Sequence, residues 1–326
     1  MGKSNSNVLQ SAAPVKGSAA VEVSSQLRKK EPVYNKYSPQ NILFNTFIYG
    51  IAVVSVIVIV YPLYFIIIAS ISDPSAVSTG LVLLRPVGFT LDGYKALLEN
   101  ESIWIGYRNT IFYAIAGTLI HLAVNIPAAY SLSRRDMPFR KTITTFFLIT
   151  MFFSGGLIPT FLTVRNFGMY NTYWVLILPF TVSVFELIVI RTFFENSIPV
   201  EMREAADMEG CGNLRFFFTI VLPLSKAIIA VITLWHIVYQ WNSYFTALIY
   251  IVDRSLYPLQ LILRNILVIN EMQGAMGTGE AMRIALRNAE LIRYAAIIVS
   301  TVPVMCIYPF VQKYFNQGVL IGAVKG

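Results

Sequence analysis

The apolar residues of this chain fall in long runs, with the charged residues confined between them. Five stretches contain no Asp, Glu, Lys or Arg: residues 37–72, 109–133, 142–164, 227–252 and 294–312. A sixth, 166–190, is interrupted only by Glu186. A helix needs about 20 largely uncharged residues to cross a hydrocarbon core of roughly 30 Å. Each stretch is about that long, so the pattern predicts an all-α, polytopic membrane protein with six transmembrane helices. The first run begins too far into the chain, and is too long, to be the apolar core of a signal peptide, and it lacks a clean small-residue cleavage site. It reads as a retained anchor helix.

Basic residues set the expected orientation. Arg28, Lys29, Lys30 and Lys36 precede the first run, and Arg134, Arg135, Arg140 and Lys141 fill the short connection between the second and third. Both places are expected in the cytoplasm, which puts both termini inside and makes 196–223 a cytoplasmic connection. Segments 73–108 and 253–293 then lie outside, and both are rich in helix formers such as EAMRIALRNAELIRY. The second carries five Arg, which weakens the rule locally without reversing it. Residues 1–38 are small and polar without helical periodicity and read as a flexible cytoplasmic tail. A membrane domain is expected over 39–326, and no internal repeat is visible.

Composition agrees with lipid as the solvent. Hydrophobic residues make up 56% of the chain and charged residues 13%, with mean hydropathy +0.63, more apolar surface than a soluble domain of this length could bury. The formal charge of +8 does not mark a nucleic-acid binder, because Lys and Arg sit between the apolar runs and not along one stripe. Cys211 and Cys306 have neither metal-ligand spacing nor a plausible pairing across a membrane, so free thiols and no metal site are expected.

One polar stretch stands out, EAADMEGCGNLRFFFTIVLP from Glu204 to Pro223. Pro199 suits a first helical turn and Gly210 a stop, so VEMREAADME predicts a helix of about 15 Å. Asp207 and Glu209 lie near its C-terminus, where the helix dipole disfavours negative charge, so a basic partner is expected. On charge pattern alone a solvated loop helix accounts for it. The spacing adds more. Glu204-Ala205-Ala206, three residues, Gly210, nine residues, Ile220, one residue, Leu222-Pro223 resembles the EAA signature of ABC importer permeases. NTIFYAIAGTLIHLAVNIPAAYSLSRR is similar to the segment entering that family's core, QWNSYFTALIY to its WN-containing fifth span, and the terminal GAVKG to the tail of MalG-type carbohydrate permeases. Gly155 to Pro159, GGLIP, is similar to the third span of one branch. The resemblance covers about Asn41 to Gly326.

The resemblance implies a type I ABC importer permease fold in which this stretch forms a coupling helix seated in a cytoplasmic ATPase. Glu204 would be the charge partner, Ala205 and Ala206 the close-packing surface, and Gly210 the turn. It also implies a second homologous permease chain, two ABC ATPase subunits and an extracytoplasmic solute-binding protein that delivers a saccharide of oligosaccharide length. No G-x4-G-K-[ST] phosphate loop occurs in the chain, so ATP and Mg would be bound by the partner ATPase and no cofactor is expected here. The chain reads as a transport subunit, not an enzyme.

Polar and aromatic residues inside apolar spans tend to face a bundle interior or an aqueous path. Trp235, Tyr239 and Asn242 recur at i, i+4 and i+7, with His236, Gln240 and Ser243 on the neighbouring stripe. Interhelical packing explains any one of them. As a group, flat rings beside amides and hydroxyls suit a sugar path. Glu186, and Asn125 with His121 one turn away, are read both as cavity lining and as packing partners. Trp104 and Trp174 fall at span edges and read as interface anchors. A membrane-embedded enzyme would need clustered acids, a histidine set or a nucleophile with its base, yet the spans hold one Glu and two His at unrelated positions. An ion-coupled transporter would be expected to show paired carboxylates, broken helices or an inverted repeat, none of which the sequence displays. An EAA-type permease for a polyamine or amino acid is the nearest alternative.

Overall fold

The computed structural model describes residues 39–276, 287, 292–307 and 309, which are helical with no strand. The expected tail at 1–38, most of the helix-forming stretch 280–294 and the terminal GAVKG lie outside the described residues. The helices are α1 (Pro39–Ser70), α2 (Pro74–Ser78), α3 (Asp92–Leu98), α4 (Glu101–Ser133), α5 (Arg140–Phe152), α6 (Leu157–Asn166), α7 (Trp174–Ile177), α8 (Val184–Ser197), α9 (Val200–Met208), α10 (Asn213–Leu224), α11 (Lys226–Trp241), α12 (Phe245–Tyr250), α13 (Leu259–Met276) and α14 (Ile292–Ile307).

The chain divides into two units after Pro62, within α1. Up to that point α1 leaves apolar side chains such as Leu43, Phe44, Ile57 and Ile59 exposed on every side. A helix that is apolar all round is one whose solvent is lipid. From Leu63 onward the second unit is organised on α4, whose 33 residues span about 50 Å. Asn100 caps its start by accepting from the Ser102 amide at 3.0 Å, and Glu101 in the first turn suits the dipole. α8, α11 and α13 pack along it. Two glycines permit the approach. A Cβ at Gly106 would lie 2.9 Å from the Leu259 Cα of α13, and one at Gly117 would lie 2.5 Å from Gln240 Nε2 of α11.

Among the described residues, α4 and residues Asn41–Ser70 of α1 can cross a membrane by length and composition, and up to four spans result if each bent helix pair counts as one. The apolar runs are not all continuous helices. The run 142–164 breaks between α5 and α6, which meet at 114°, because Gly155 and Gly156 interrupt it and Gly156 takes φ +84°. The run 166–190 contains only the short α7 before a non-helical turn at 178–183, and α8 continues past Arg191 to Ser197. α10 carries a π-helical segment at Phe217–Val221 and meets α11 at 78°. Broken helices are therefore present, contrary to the expectation from sequence. Charge gaps locate apolar segments but do not register uncharged breaks inside them.

Candidate functional site

The polar stretch around Glu204 forms α9 as expected, with Pro199 at the N-cap, one residue before the first helical position. Its end is a Schellman turn: Gly210 N–H donates to Asp207 O at 3.0 Å and Cys211 N–H to Ala206 O at 2.9 Å, with Gly210 at φ +74°. The basic partner is Arg203, one turn back on the same helix. Its Nε donates to Asp207 Oδ2 at 3.0 Å and its Nη2 to Asn213 Oδ1 at 2.7 Å, and its guanidinium lies 4.9 Å from the centre of the Phe216 ring. Arg134, just past the end of α4, reaches the same Asn213 Oδ1 at 2.6 Å. Its hydrogen bonds also hold the Asp136 carboxyl below the usual carboxylate range. Asn213 thus ties the turn after α9 to the end of the central helix, a link that spacing in the sequence does not reveal.

Of the four residues assigned to coupling, Glu204, Ala205 and Gly210 are exposed. Ala206 is not. It is 7% exposed and packs in this chain's own core with Tyr130, Phe194, Phe216 and Phe217, so its expected outward contact is corrected: it seats α9 on the protein. The outward face comprises Glu201, Glu204, Ala205 and Met208 at i, i+3, i+4 and i+7. Met208 is 89% exposed, and a large apolar side chain held so far out is suited to burial against another surface.

The path residues separate into two groups on α11. Trp235, Tyr239 and Asn242 are exposed along one face, and Trp235 stacks with Phe185 of α8 at 6.0 Å. Gln240 is buried behind that face and donates from Nε2 to Leu176 O at 3.0 Å. Asn125 is fully buried on α4, where Nδ2 donates to Thr181 O and His121 O, each at 2.9 Å. Trp104 and Trp174 are both exposed.

His121, Glu186 and His236, read from sequence as unrelated, come together, one each from α4, α8 and α11. His121 Nδ1 lies 2.6 Å from Thr181 O. A carbonyl can only accept, so Nδ1 carries the hydrogen. This turns His121 Nε2 to Glu186 Oε2, at 2.7 Å. The His236 ring stacks on His121 with centres 4.0 Å apart, and its Nε2 is buried without a partner. Thr181 lies in the non-helical turn that breaks the fourth apolar run, so the break supplies the carbonyl that orients His121. Glu186 sits in the first turn of α8, where the dipole favours a carboxylate. The available signal was rarity: these are the chain's two histidines and the lone acid of the apolar runs.

Comparison with known proteins agrees with this architecture. Residues 101–321 match the model of the family described as binding-protein-dependent transport system inner membrane component. The chain is 38% identical over 291 residues to the polygalacturonan/rhamnogalacturonan transport system permease protein YtcP of Bacillus subtilis (strain 168), covering 88% of this chain and 100% of that protein. It is 28% identical to the melibiose/raffinose/stachyose import permease protein MelC of the same organism, over 81% of this chain and 91% of that one. Among solved structures, a chain of a bacterial ABC transporter involved in the import of the acidic polysaccharide alginate superposes with TM-score 0.77 at 32% identity, covering 86% of this chain and 99% of that chain. The chain therefore belongs to the inner-membrane components of binding-protein-dependent transport systems, the permease subunits of ABC importers.

Proposed function

We propose that this permease forms half of the translocation path of an ATP-driven importer for an oligosaccharide, paired with a second homologous permease chain. Two ATPase subunits bind ATP and Mg, one of them docking on α9, and an extracytoplasmic binding protein delivers the solute. The observation that carries this reading is α9 itself. Its outward face presents Glu204, Ala205 and Met208, and its exit is fixed by the Gly210 turn and the Arg203–Asn213–Arg134 brace. Force applied to α9 then reaches α4, the helix on which the rest of this unit packs. The exposed α11 face, with Trp235, Tyr239 and Asn242, lines the path; Glu186 stands at its edge, and Gln240 and Asn125 hold it from behind. Flat rings cover the C–H faces of a sugar while the amide replaces its water. Acidic oligosaccharides are the first substrates to try, given what YtcP and the alginate importer are named for.

Six spans with both termini inside fit the distribution of Lys and Arg, and reporter fusions after Met137 and Gly277 should read cytoplasm and exterior. Two reports from one side contradict that topology. For transport, the complete complex in proteoliposomes should take up labelled oligogalacturonate or a neutral oligosaccharide only with ATP and the binding protein. Tyr239→Ala should reduce that uptake several-fold without loss of assembly or basal ATP hydrolysis. Uptake of spermidine or an amino acid instead, with no saccharide taken up, would overturn the assignment.

A further inference from the structure

We infer that His121, Glu186 and His236 form a binding site for a divalent transition-metal ion of the zinc class, set in the helix bundle between α4, α8 and α11. The inference is independent of the identity of the transported solute. Three donor atoms, one from each residue, lie within 4.8 Å of one another. His121 is fully buried and His236 is 3% exposed, far from the water that would otherwise satisfy them. Two imidazoles and one carboxylate are a donor set that binds zinc with a coordination position left open.

The surroundings are arranged as a metal site requires. A ligating histidine characteristically donates its second ring N–H to a carbonyl, which fixes the tautomer and aims the free lone pair. His121 does this through Nδ1 to Thr181 O at 2.6 Å, and Asn125 Nδ2 steadies the same carbonyl at 2.9 Å. The buried Nε2 of His236 has no hydrogen-bond partner, nor do the buried Thr118 Oγ1 and Asn125 Oδ1 on the His121 face of α4. Buried polar atoms without partners are uncommon in folded proteins, and a bound ion or an ordered water can satisfy them.

Occupation needs two small adjustments. A zinc ion about 2.0–2.1 Å from each ligand sets neighbouring ligand atoms about 3.3 Å apart at tetrahedral angles. His121 Nε2 and Glu186 Oε2, now 2.7 Å apart, therefore open slightly, and the proton they share is released as the metal binds. The His236 ring lies nearly parallel to that of His121, 18° between planes, so it must turn to aim its lone pair at the ion. Its Nε2 gives up no hydrogen bond in turning.

The test uses the complete transporter complex in detergent with Cys211→Ser and Cys306→Ser, so that no thiolate of this chain competes, and Co2+ as a spectroscopic probe. The result expected is one more Co2+ per copy of this chain than in the His236→Gln complex, with the visible ligand-field absorption of a four- or five-coordinate ion, displaced by Zn2+. Glu186→Gln is the second variant, should His236→Gln not assemble. X-ray absorption of the zinc-loaded parent should show the scattering of two imidazoles, and in either variant that signal should disappear because the site no longer retains zinc. Equal Co2+ stoichiometry and spectra in the parent and both variants, or no bound Co2+ in the parent, would overturn the proposal and leave the importer reading untouched.

Discussion

Ala205 and Ala206 are adjacent in sequence but meet different surroundings. The first is exposed on the outer side of α9, while the second sits among Tyr130, Phe216 and Phe217 inside the protein. The EAA spacing does not separate them, because it records intervals along the chain and not which side of the helix the rest of the chain occupies. Substitution should do so. Ala206→Leu forces extra methylene groups into a packed core, which costs roughly 1–3 kcal/mol. The expected outcome is a lower unfolding temperature for the permease even without its ATPase. Ala205→Leu should leave stability within about 0.5 kcal/mol of wild type, as for an exposed position. Equal destabilisation by the two would mean that α9 does not sit as described. Gly210 was legible for a physical reason: few residues other than glycine end a helix at φ +74°.

At the scale of elements, the charge-free runs place the apolar helices well but not their breaks. A run is uninterrupted to this measure even where Gly155-Gly156 turns the chain or where Asn242 and Ser243 end α11, since none of these residues is charged. Nor does periodicity within one helix reveal what meets from three. His121, Glu186 and His236 are separated by 65 and 50 positions, and only the packing of α8 and α11 on α4 brings them together. Close approach to α4 also rests on small residues, Gly117 against α11 and Gly106 against α13. The Gly106 Cβ position is 2.8 Å from Ile262 Cδ1 and 2.9 Å from the Leu259 Cα, and a backbone atom cannot move aside as a side-chain tip can. Gly106→Val should therefore separate α4 from α13 and cost at least about 1–3 kcal/mol. Thermal unfolding of the purified complex measures it, and an unchanged midpoint would show that the two helices do not approach so closely.

As a whole the chain is a membrane permease subunit in which the polar helix α9 is braced against the central helix α4. Arg203 and Arg134 share Asn213, which links α9 to the end of α4. Such a brace suits a subunit driven by a separate ATPase, as proposed above. If α9 couples as proposed, its outer face receives the ATPase. Reversing a charge that pairs at such an interface leaves its partner unpaired, at a cost of about 2 to 5 kcal/mol, or tens-fold and more in affinity. The direct measurement is retention of the ATPase on the purified permease pair carrying Glu204→Lys or Ala205→Trp, together with ATP-driven uptake in proteoliposomes. Both substitutions should leave membrane insertion and permease pairing intact while ATPase retention and uptake fall together by at least tens-fold. Wild-type retention and wild-type uptake in both would contradict this coupling and leave α9 a solvated loop helix.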